Sequence, residues 1–321
     1  MILYSAALLV GFLVLFKSAD QFVIGAVATA RNFNISPLVI GLTIVALGTS
    51  APEIFVAATS SLQGQSQLAV GNAIGSNIAN IGMVLGITAI CVPLKFHADI
   101  LRQDMPILLF VTLCAGATLV DGYLGLWDGL LLFAGLCVFL FRVGIEQRNA
   151  STLELVAEIE ELGDIPGMSK TRATLTFVAA LIFLLLSSEM LVWSAVNIAE
   201  LLGISQLVIG LTVIAIGTSL PELVVSMTSA LKGHTDMAIG NIVGSNIFNI
   251  LAVLSIPCVI APTAVGPELL WRDFSAMLIL TCLLIGFAAF SAGKKAITRL
   301  RGAGLVSVWI GYMAYLYLSS H

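Results

Sequence analysis

Long apolar segments fill most of this chain, and short polar or turn-forming clusters separate them. A helix needs about 20 mostly apolar residues to cross a bilayer, and the pattern predicts ten such helices. The connections between several of them are so short that neighbouring helices must be antiparallel. The predicted fold class is an all-α polytopic membrane protein, with transmembrane helices at 2–30, 36–61, 67–92, 104–120, 125–143, 173–200, 205–231, 236–261, 273–291 and 303–319.

The composition agrees with this pattern. Hydrophobic residues make up 59% of the 321 residues, and charged residues make up only 10%, against about 25% in an ordinary soluble domain. A soluble fold of this size could not cover its surface with so few polar groups. The composition therefore excludes a cytosolic enzyme, a nucleic-acid-binding protein and a disordered chain, and it implies a lipid bilayer as the main solvent.

One hydrophilic segment divides the chain. Residues 142–172 contain most of the clustered acidic side chains and are too short to form a domain. We interpret them as a solvated linker between two halves, 1–141 and 173–321. The five cysteines lie inside apolar runs at spacings typical of neither metal sites nor disulfides, so we expect them to be packing or lipid-facing residues.

The positive charges predict the orientation. With the linker in the cytoplasm, the positive-inside rule is satisfied, and both termini lie on the extracytoplasmic side. The N-terminus lacks the basic region of a cleaved signal peptide, so it is expected to begin a retained helix. The expected location is a plasma membrane, the inner membrane of a bacterium. The cytoplasmic connections would then hold 12 of the 14 basic residues, namely Arg31, Lys95, Arg102, Arg142, Arg148, Lys170, Arg172, Lys232, Lys294, Lys295, Arg299 and Arg301.

The chain contains an internal repeat with an offset of 169 residues. Residues 36–80 and 205–249 are identical at 26 of 45 positions. Each half contributes five predicted helices, and an odd number places the second half upside down relative to the first. Inverted repeats are a recurring design of secondary transporters, whose ion sites lie near the membrane midplane on discontinuous helices. The repeat therefore favours a carrier over an enzyme.

Two motifs within each repeat carry the candidate chemistry. GTSAPE at 48–53 matches GTSLPE at 217–222, and GSNIAN at 75–80 matches GSNIFN at 244–249. Glu53 and Glu222 stand midway along uncharged spans, where a charge costs roughly 2.5–3.5 kcal/mol on insertion scales. Because no Lys or Arg shares their segments, we expect them to be protonated or paired with a bound cation.

The residues around each glutamate suit a hard cation. Pro52 and Pro221 have no N–H, so the carbonyl groups four residues earlier lose their helical partner. Thr49 and Ser50 share the helical face of Glu53. Hydroxyl, amide, carbonyl and carboxylate oxygens are the ligands of Ca²⁺, and the lack of His and Cys disfavours zinc, copper and iron. Two carboxylates balance one divalent ion, two monovalent ions or two protons, which favours exchange over uniport.

Other polar and small residues have structural interpretations. The glycine pairs of the two repeats are interpreted as helix-packing motifs, and four asparagines as interhelical hydrogen-bonding residues. Asp20 and Glu189, which also align at offset 169, are interpreted as structural pairing or cavity polarity rather than ligands. The glycines are Gly71, Gly75, Gly240 and Gly244, and the asparagines are Asn72, Asn77, Asn241 and Asn246.

At these two motifs the sequence resembles the cation/calcium antiporter superfamily, and as a whole it resembles the small prokaryotic sodium/calcium exchangers. The resemblance implies Na⁺-driven Ca²⁺ exchange by alternating access, with sliding of the first and sixth predicted helices. It implies no resident cofactor, because Ca²⁺ and Na⁺ bind only transiently. The ligand positions that it implies are Glu53, Glu222, Ala46, Ala215, Thr49, Ser50, Thr218, Ser219, Ser76, Ser245, Asn80 and Asn249.

One position departs from part of that superfamily. Potassium-dependent relatives carry Asp where this chain has Asn249, so K⁺ co-transport is not expected. A Ca²⁺/H⁺ antiporter is the nearest alternative, and a cation channel and an intramembrane enzyme are alternatives from other classes. No nucleic-acid partner is expected, and the sequence identifies no protein partner.

Overall fold

Helices form nearly all of the computed structural model, which describes residues 1–95, 100–149, 168–202, 215–289 and 297–319. Two strands of two residues, β1 (Tyr123–Leu124) and β2 (Thr263–Ala264), pair antiparallel. The helices are α1 (Ile2–Phe33), α2 (Pro37–Thr49), α3 (Ala51–Leu62), α4 (Ser66–Cys91), α5 (100–119), α6 (Leu126–Asn149), α7 (Lys170–Leu201), α8 (Ala215–Thr218), α9 (Leu220–Leu231), α10 (Thr235–Ile260), α11 (Leu269–Ala289) and α12 (Arg299–Ser319).

The two longest helices, α1 and α7, each have 32 residues and lie antiparallel against each other. The rings of Phe22 and Phe177 stack with their centroids 4.6 Å apart, and Tyr4 near the other end of α1 meets Trp193 at 5.1 Å. Gly25 permits the close approach, because a Cβ there would lie 2.7 Å from the Phe177 backbone nitrogen. Together with parts of α2, α9 and α10, these helices form a hydrophobic cluster separate from the main core.

The GTS-x-PE pattern, which occurs once in each repeat, marks a break in a helix. Between α2 and α3 the axis bends by 42°, and Ser50 leaves the helical region with φ −83° and ψ 8°. Ser219 has nearly the same dihedral angles, φ −88° and ψ 6°, between α8 and α9. The proline two residues later cannot donate the helical hydrogen bond and is tolerated in the first turn of the new helix. The predicted discontinuous helices are confirmed at both positions.

Short π-helical segments interrupt several spans. One begins at Asn80 in α4 and another begins at Asn249 in α10, so the two repeats share this feature. The segments Ile100–Asp104 and Leu269–Phe274 form a second matching pair at the start of α5 and α11. Such segments widen a helix locally and often mark functional sites. The first pair begins at Asn80 and Asn249, which are two of the predicted ligand positions.

Packing between the halves follows the internal repeat. A Cβ at Gly129 in α6 would lie 3.0 Å from the carbonyl oxygen of Ser255 in α10, and a Cβ at Gly302 in α12 would lie 2.7 Å from that of Gly86 in α4. Gly86 and Ser255 are equivalent positions at offset 169. The last helix of each half therefore packs on the other half.

The backbone pairing repeats the same exchange. Leu124 pairs with Thr263, and Leu94 pairs with Ile297. Leu94 and Thr263 are again 169 residues apart. In both cases, the segment that follows the third long span of one half bonds to the segment that precedes the last helix of the other half.

The glycine-packing prediction is confirmed in the second repeat. A Cβ at Gly244 would lie 2.5 Å from the carbonyl oxygen of Leu42, and a Cβ at Gly240 would lie 2.8 Å from that of Leu38. The α10 backbone therefore approaches α2 closely. The equivalent neighbours of Gly71 and Gly75 would fall within 207–214, outside the described residues.

Six described helices are long and apolar enough to cross a membrane, or seven if α2 and α3 form one bent span. These six are α1, α4, α6, α7, α10 and α11. The coarse prediction of an all-helical membrane protein is confirmed, whereas the count of ten stays a prediction. The linker prediction falls mostly on 150–167, outside the described residues, and α6 continues through the predicted boundary to Asn149.

We predict that Gly244→Ala destabilises the protein. The new methyl group would meet the Leu42 carbonyl oxygen at 2.5 Å and the Ala46 Cβ at 2.7 Å, and overpacking of this kind costs about 1–3 kcal/mol. Thermal unfolding in detergent should show a lower Tm. Gly311→Ala is the matched control, because no described atom lies within 4 Å of its Cβ position. Equal Tm values for both variants would contradict the prediction.

Candidate cation site

The two glutamates lie in the first turns of the helices that follow the breaks. Glu53 is in α3 and Glu222 is in α9, and both side chains are completely buried. The two carboxyl groups are close enough to repel each other when ionised. The structure therefore brings the paired acids of the two repeats into one buried site.

Hydroxyl groups connect the repeats around these acids. Ser50 Oγ donates to Glu222 Oε1 at 3.0 Å across the two halves. Thr49 also lies beside the Glu222 carboxyl group, and its repeat partner Thr218 lies beside that of Glu53. Ser76 Oγ in α4 lies 3.4 Å from Glu53 Oε1. A hydroxyl group of the opposite repeat thus lies beside each carboxyl group, and Ser50 donates directly to Glu222.

Thr49 stands at the centre of this network. Its hydroxyl group lies 3.1 Å from Asn241 Oδ1, 3.4 Å from Ser245 Oγ and 3.3 Å from the Ala46 carbonyl oxygen. Four predicted ligand positions, Thr49, Ala46, Ser245 and Glu222, are thereby brought together. Ala215, another predicted ligand position, is the first residue of α8. The surroundings of its side chain lie outside the described part of the structure.

Several buried polar atoms at the site have no hydrogen-bond partner among the described residues. They are the second carboxyl oxygens of Glu53 and Glu222, the hydroxyl group of Ser219, and both amide atoms of Asn80 and Asn249. Buried polar groups are nearly always hydrogen-bonded. An oxygen-rich set of this kind, with two carboxyl groups, fits a hard cation with 6–8 oxygen ligands.

The asparagines interpreted as interhelical residues mostly bond between helices. Asn72 Nδ2 lies 3.4 Å from the Glu53 carbonyl oxygen, and Asn241 Nδ2 lies 3.5 Å from that of Glu222. Asn77 Nδ2 donates to Met277 Sδ at 3.4 Å. Asn246 instead bonds to Ile242 in its own helix. Asn72 and Asn241 therefore hold the backbone of the two acidic residues from equivalent positions.

Two serines near the site were not predicted from the sequence. Ser188 Oγ in α7 donates to the Gly217 carbonyl oxygen at 3.1 Å, the group that Pro221 deprives of its helical partner. Ser226 Oγ accepts from Asn241 Nδ2 at 2.9 Å. The proline predicted an unpartnered carbonyl group, but only the packing of α7 identifies its donor.

Acid groups outside the site have other partners. Asp20 forms an ion pair with Lys232 at 2.6 Å, and Asp104 forms one with Arg142 at 3.5 Å. Asp273 bonds to Arg272 and accepts from Tyr312 Oη at 2.9 Å. No cluster of three or more His, Cys, Asp or Glu side chains with metal-binding geometry occurs within the described ranges.

Broken membrane helices that surround a buried oxygen site are typical of ion carriers. The profile of the family described as "Sodium/calcium exchanger protein" matches residues 3–144 and 172–318, and the chain belongs to this family. CaxA of Alkalimonas amylolytica is 44% identical over the full length of both chains. Inner membrane protein YrbG of Escherichia coli is 40% identical over 99% of this chain and 98% of that protein.

A solved structure has the same fold. The sodium-calcium exchanger NCX_Mj, in a structure soaked with Na⁺ and without Ca²⁺, aligns with a TM-score of 0.83 and 34% identity over 98% of each chain. The fold similarity covers both halves and all helices that carry the site. The protein is therefore a multi-pass membrane protein of a cation/Ca²⁺ exchanger family, as the sequence motifs predicted.

We predict unequal effects for Ser50→Ala and Ser219→Ala without ions. Ser50 donates to the Glu222 carboxyl group, and a typical hydrogen bond contributes about 0.5–1.5 kcal/mol to stability. Ser219 Oγ has no partner in the described part of the chain. In detergent with chelator, only Ser50→Ala should lower the Tm.

The same experiment with Ca²⁺ separates stability from ion binding. If both serines are ligands, both variants should show a smaller Ca²⁺-dependent rise in Tm than the unmodified protein. Wild-type Ca²⁺ stabilisation in Ser219→Ala would remove Ser219 from the ligand set. Equal Tm values of the two variants in chelator would contradict the hydrogen-bond assignment.

Proposed function

We propose that this protein is a secondary transporter that exchanges Ca²⁺ for Na⁺ by alternating access at the site around Glu53 and Glu222. The observation that carries the proposal is the burial of these two carboxyl groups beside hydroxyl groups of the opposite repeat: Ser50 donates to Glu222, and Thr218 lies beside Glu53. The proposed ligands are the twelve residues named from the family resemblance.

Charge balance supports exchange. Two ionised carboxylates in the bilayer centre are costly when no cation compensates them. One Ca²⁺ neutralises both charges, and so do two Na⁺ or two protons. Because the empty, doubly ionised site is the expensive state, the site should change its exposure mainly when it is loaded. This favours coupled exchange over a leak of either ion.

We propose the ten-helix topology with two inverted five-helix halves and both termini outside. The matching helix breaks at Ser50 and Ser219 support it, as does the reciprocal packing of Gly129 and Gly302 on the other half. The location that we propose is the bacterial inner membrane, supported by the name of the relative YrbG.

Alternating access would arise from movement of α1 and α7 against the helices that hold the site. The separate hydrophobic cluster formed around α1 and α7 supports two bodies, because most of its members lie on these two helices. The site itself lies on α2–α4 and α8–α10. Sliding of the long pair would then open the site to one side at a time.

Sodium is the proposed counter-ion. Sodium/calcium exchanger MaX1 of Methanosarcina acetivorans is 30% identical over 97% of both chains, and its name supports Na⁺. Asn249 is a neutral amide where potassium-dependent relatives carry Asp. The proposed site therefore has no third carboxylate to balance the charge of an additional K⁺. A Ca²⁺/H⁺ antiporter remains the alternative, because the two buried carboxyl groups could also carry protons.

The counter-ion is tested by Ca²⁺ flux in proteoliposomes with Na⁺, K⁺ and H⁺ gradients applied separately. We expect an outward Na⁺ gradient to drive Ca²⁺ uptake and a K⁺ gradient to have no effect. Uptake driven by a pH gradient without Na⁺ would establish the alternative. Ca²⁺ movement at channel rates with no counter-ion would overturn exchange altogether.

We predict that Glu53→Gln and Glu222→Gln each abolish Ca²⁺ exchange while the protein stays folded, because a single remaining carboxylate cannot balance Ca²⁺. Flux in proteoliposomes and gel filtration would measure transport and folding. Glu268→Gln is the matched control, since Glu268 is exposed at the start of α11. Retained exchange in both site variants would show that the ions bind elsewhere.

A further inference from the structure

One ion pair joins the long helix pair to the body that holds the site. Lys232 Nζ lies 2.6 Å from Asp20 Oδ1. Asp20 is on α1, whereas Lys232 is in the turn between α9, which carries Glu222, and α10, which carries Asn249. We call the membrane side on which the α9–α10 turn lies the Lys232 face, and the side of the equivalent α3–α4 turn the Gln63 face. We propose that the ion pair is a latch that holds the site closed toward the Lys232 face and so favours the state open toward the Gln63 face. This inference rests on the proposed alternating access.

The latch adds a polar contact to an otherwise apolar interface, in which α1 and α7 pack against parts of α2, α9 and α10. Ala19, Phe22 and Val23, which surround Asp20 in sequence, belong to the hydrophobic cluster of α1 and α7. The two members of the ion pair are about one-third exposed, with 32% for Lys232 and 38% for Asp20. A pair at this level of exposure can break and reform as the bodies move, whereas a fully buried pair would resist separation.

The internal repeat shows what happens to this pair in the opposite state. The positions equivalent to Asp20 and Lys232 are Glu189 and Gln63. Glu189 is exposed, and no side-chain hydrogen bond joins it to Gln63 in the described structure. In an inverted-repeat carrier the two halves exchange conformations. In the opposite state Asp20 and Lys232 would therefore take the present arrangement of Glu189 and Gln63, and the ion pair would be broken.

The chain makes this latch on one face only. Gln63 carries no charge, so Glu189 gains no ionic partner when the Gln63 face closes. The opposite state thus lacks an equivalent stabilising contact. An exposed ion pair of this kind shifts a two-state equilibrium by up to about fivefold, in favour of the state with the Lys232 face closed.

The neighbouring polar groups leave this assignment intact. Burial, and to a lesser extent the charge of Lys232, lower the pKa of His234, so the imidazole is neutral at pH 7. Lys232 therefore supplies the positive charge of this turn. Gln21 Nε2 donates to the other carboxyl oxygen of Asp20 at 3.2 Å, which orients the carboxylate. Lys17 has no acid within salt-bridge distance in the described structure.

Hydrogen–deuterium exchange of the full chain in lipid nanodiscs tests the latch. In Lys232→Gln, amides of α1 around Asp20 should exchange up to about fivefold faster, because the Lys232 face opens more often. Lys232→Arg should retain the protection. Lys95→Gln removes the same charge from another exposed connection and should leave α1 unchanged.

A gain-of-function variant tests the symmetry argument. Gln63→Lys should create the missing partner of Glu189, and amides of α7 around Glu189 should become more protected as those of α1 lose protection. The inference is overturned if Lys232→Gln leaves α1 protected, if Lys95→Gln acts equally, or if Gln63→Lys leaves both helices unchanged.

Transport separates the latch from the proposed function. Suppose that the unmodified protein shows Na⁺-driven Ca²⁺ flux but the variants show no change in hydrogen–deuterium exchange. This result would contradict the latch and leave the proposed transport function intact. Lack of any coupled flux in the unmodified protein would overturn the proposed function instead.

Discussion

The desolvation of two carboxyl groups is the constraint on which the rest of this structure depends. Glu53 and Glu222 have no contact with solvent, and a buried acid needs hydrogen-bond donors, a proton or a cation. The chain provides hydroxyl groups at fixed positions before each acid, and it directs them across the interface between the halves. The site therefore needs two copies of the repeat, because either half alone would present one acid without the hydroxyl donor of the other.

The irregular backbone follows from the same requirement. The breaks at Ser50 and Ser219 and the π-helical segments that begin at Asn80 and Asn249 place polar residues where regular helices would bury only apolar side chains. Irregular backbone is tolerated at membrane depth where it is buried in protein or lines a cavity. The close approach of Gly244 to Leu42 keeps these segments packed against each other, and Ser188 compensates one carbonyl group that a proline leaves free.

Much of this arrangement could be predicted from the sequence. The repeat located both acids, and Pro52 and Pro221 located the helix breaks, because a proline has local and unavoidable effects on a helix. The partners of Asp20 and Gly217 could not be predicted. Lys17 is one turn from Asp20, yet the carboxylate bonds to Lys232, more than 200 residues away. Such contacts depend on how long helices pack, and periodicity within one helix does not encode them.

The reciprocal contacts between the halves have a further consequence. Leu94 pairs with Ile297 and Leu124 pairs with Thr263, while the last helix of each half packs on the other. The C-terminal part of each half thus packs against the other half. The halves are therefore joined by packing and backbone hydrogen bonds as well as by the covalent connection. Two separate, identical chains related by a two-fold axis would form the same reciprocal contacts.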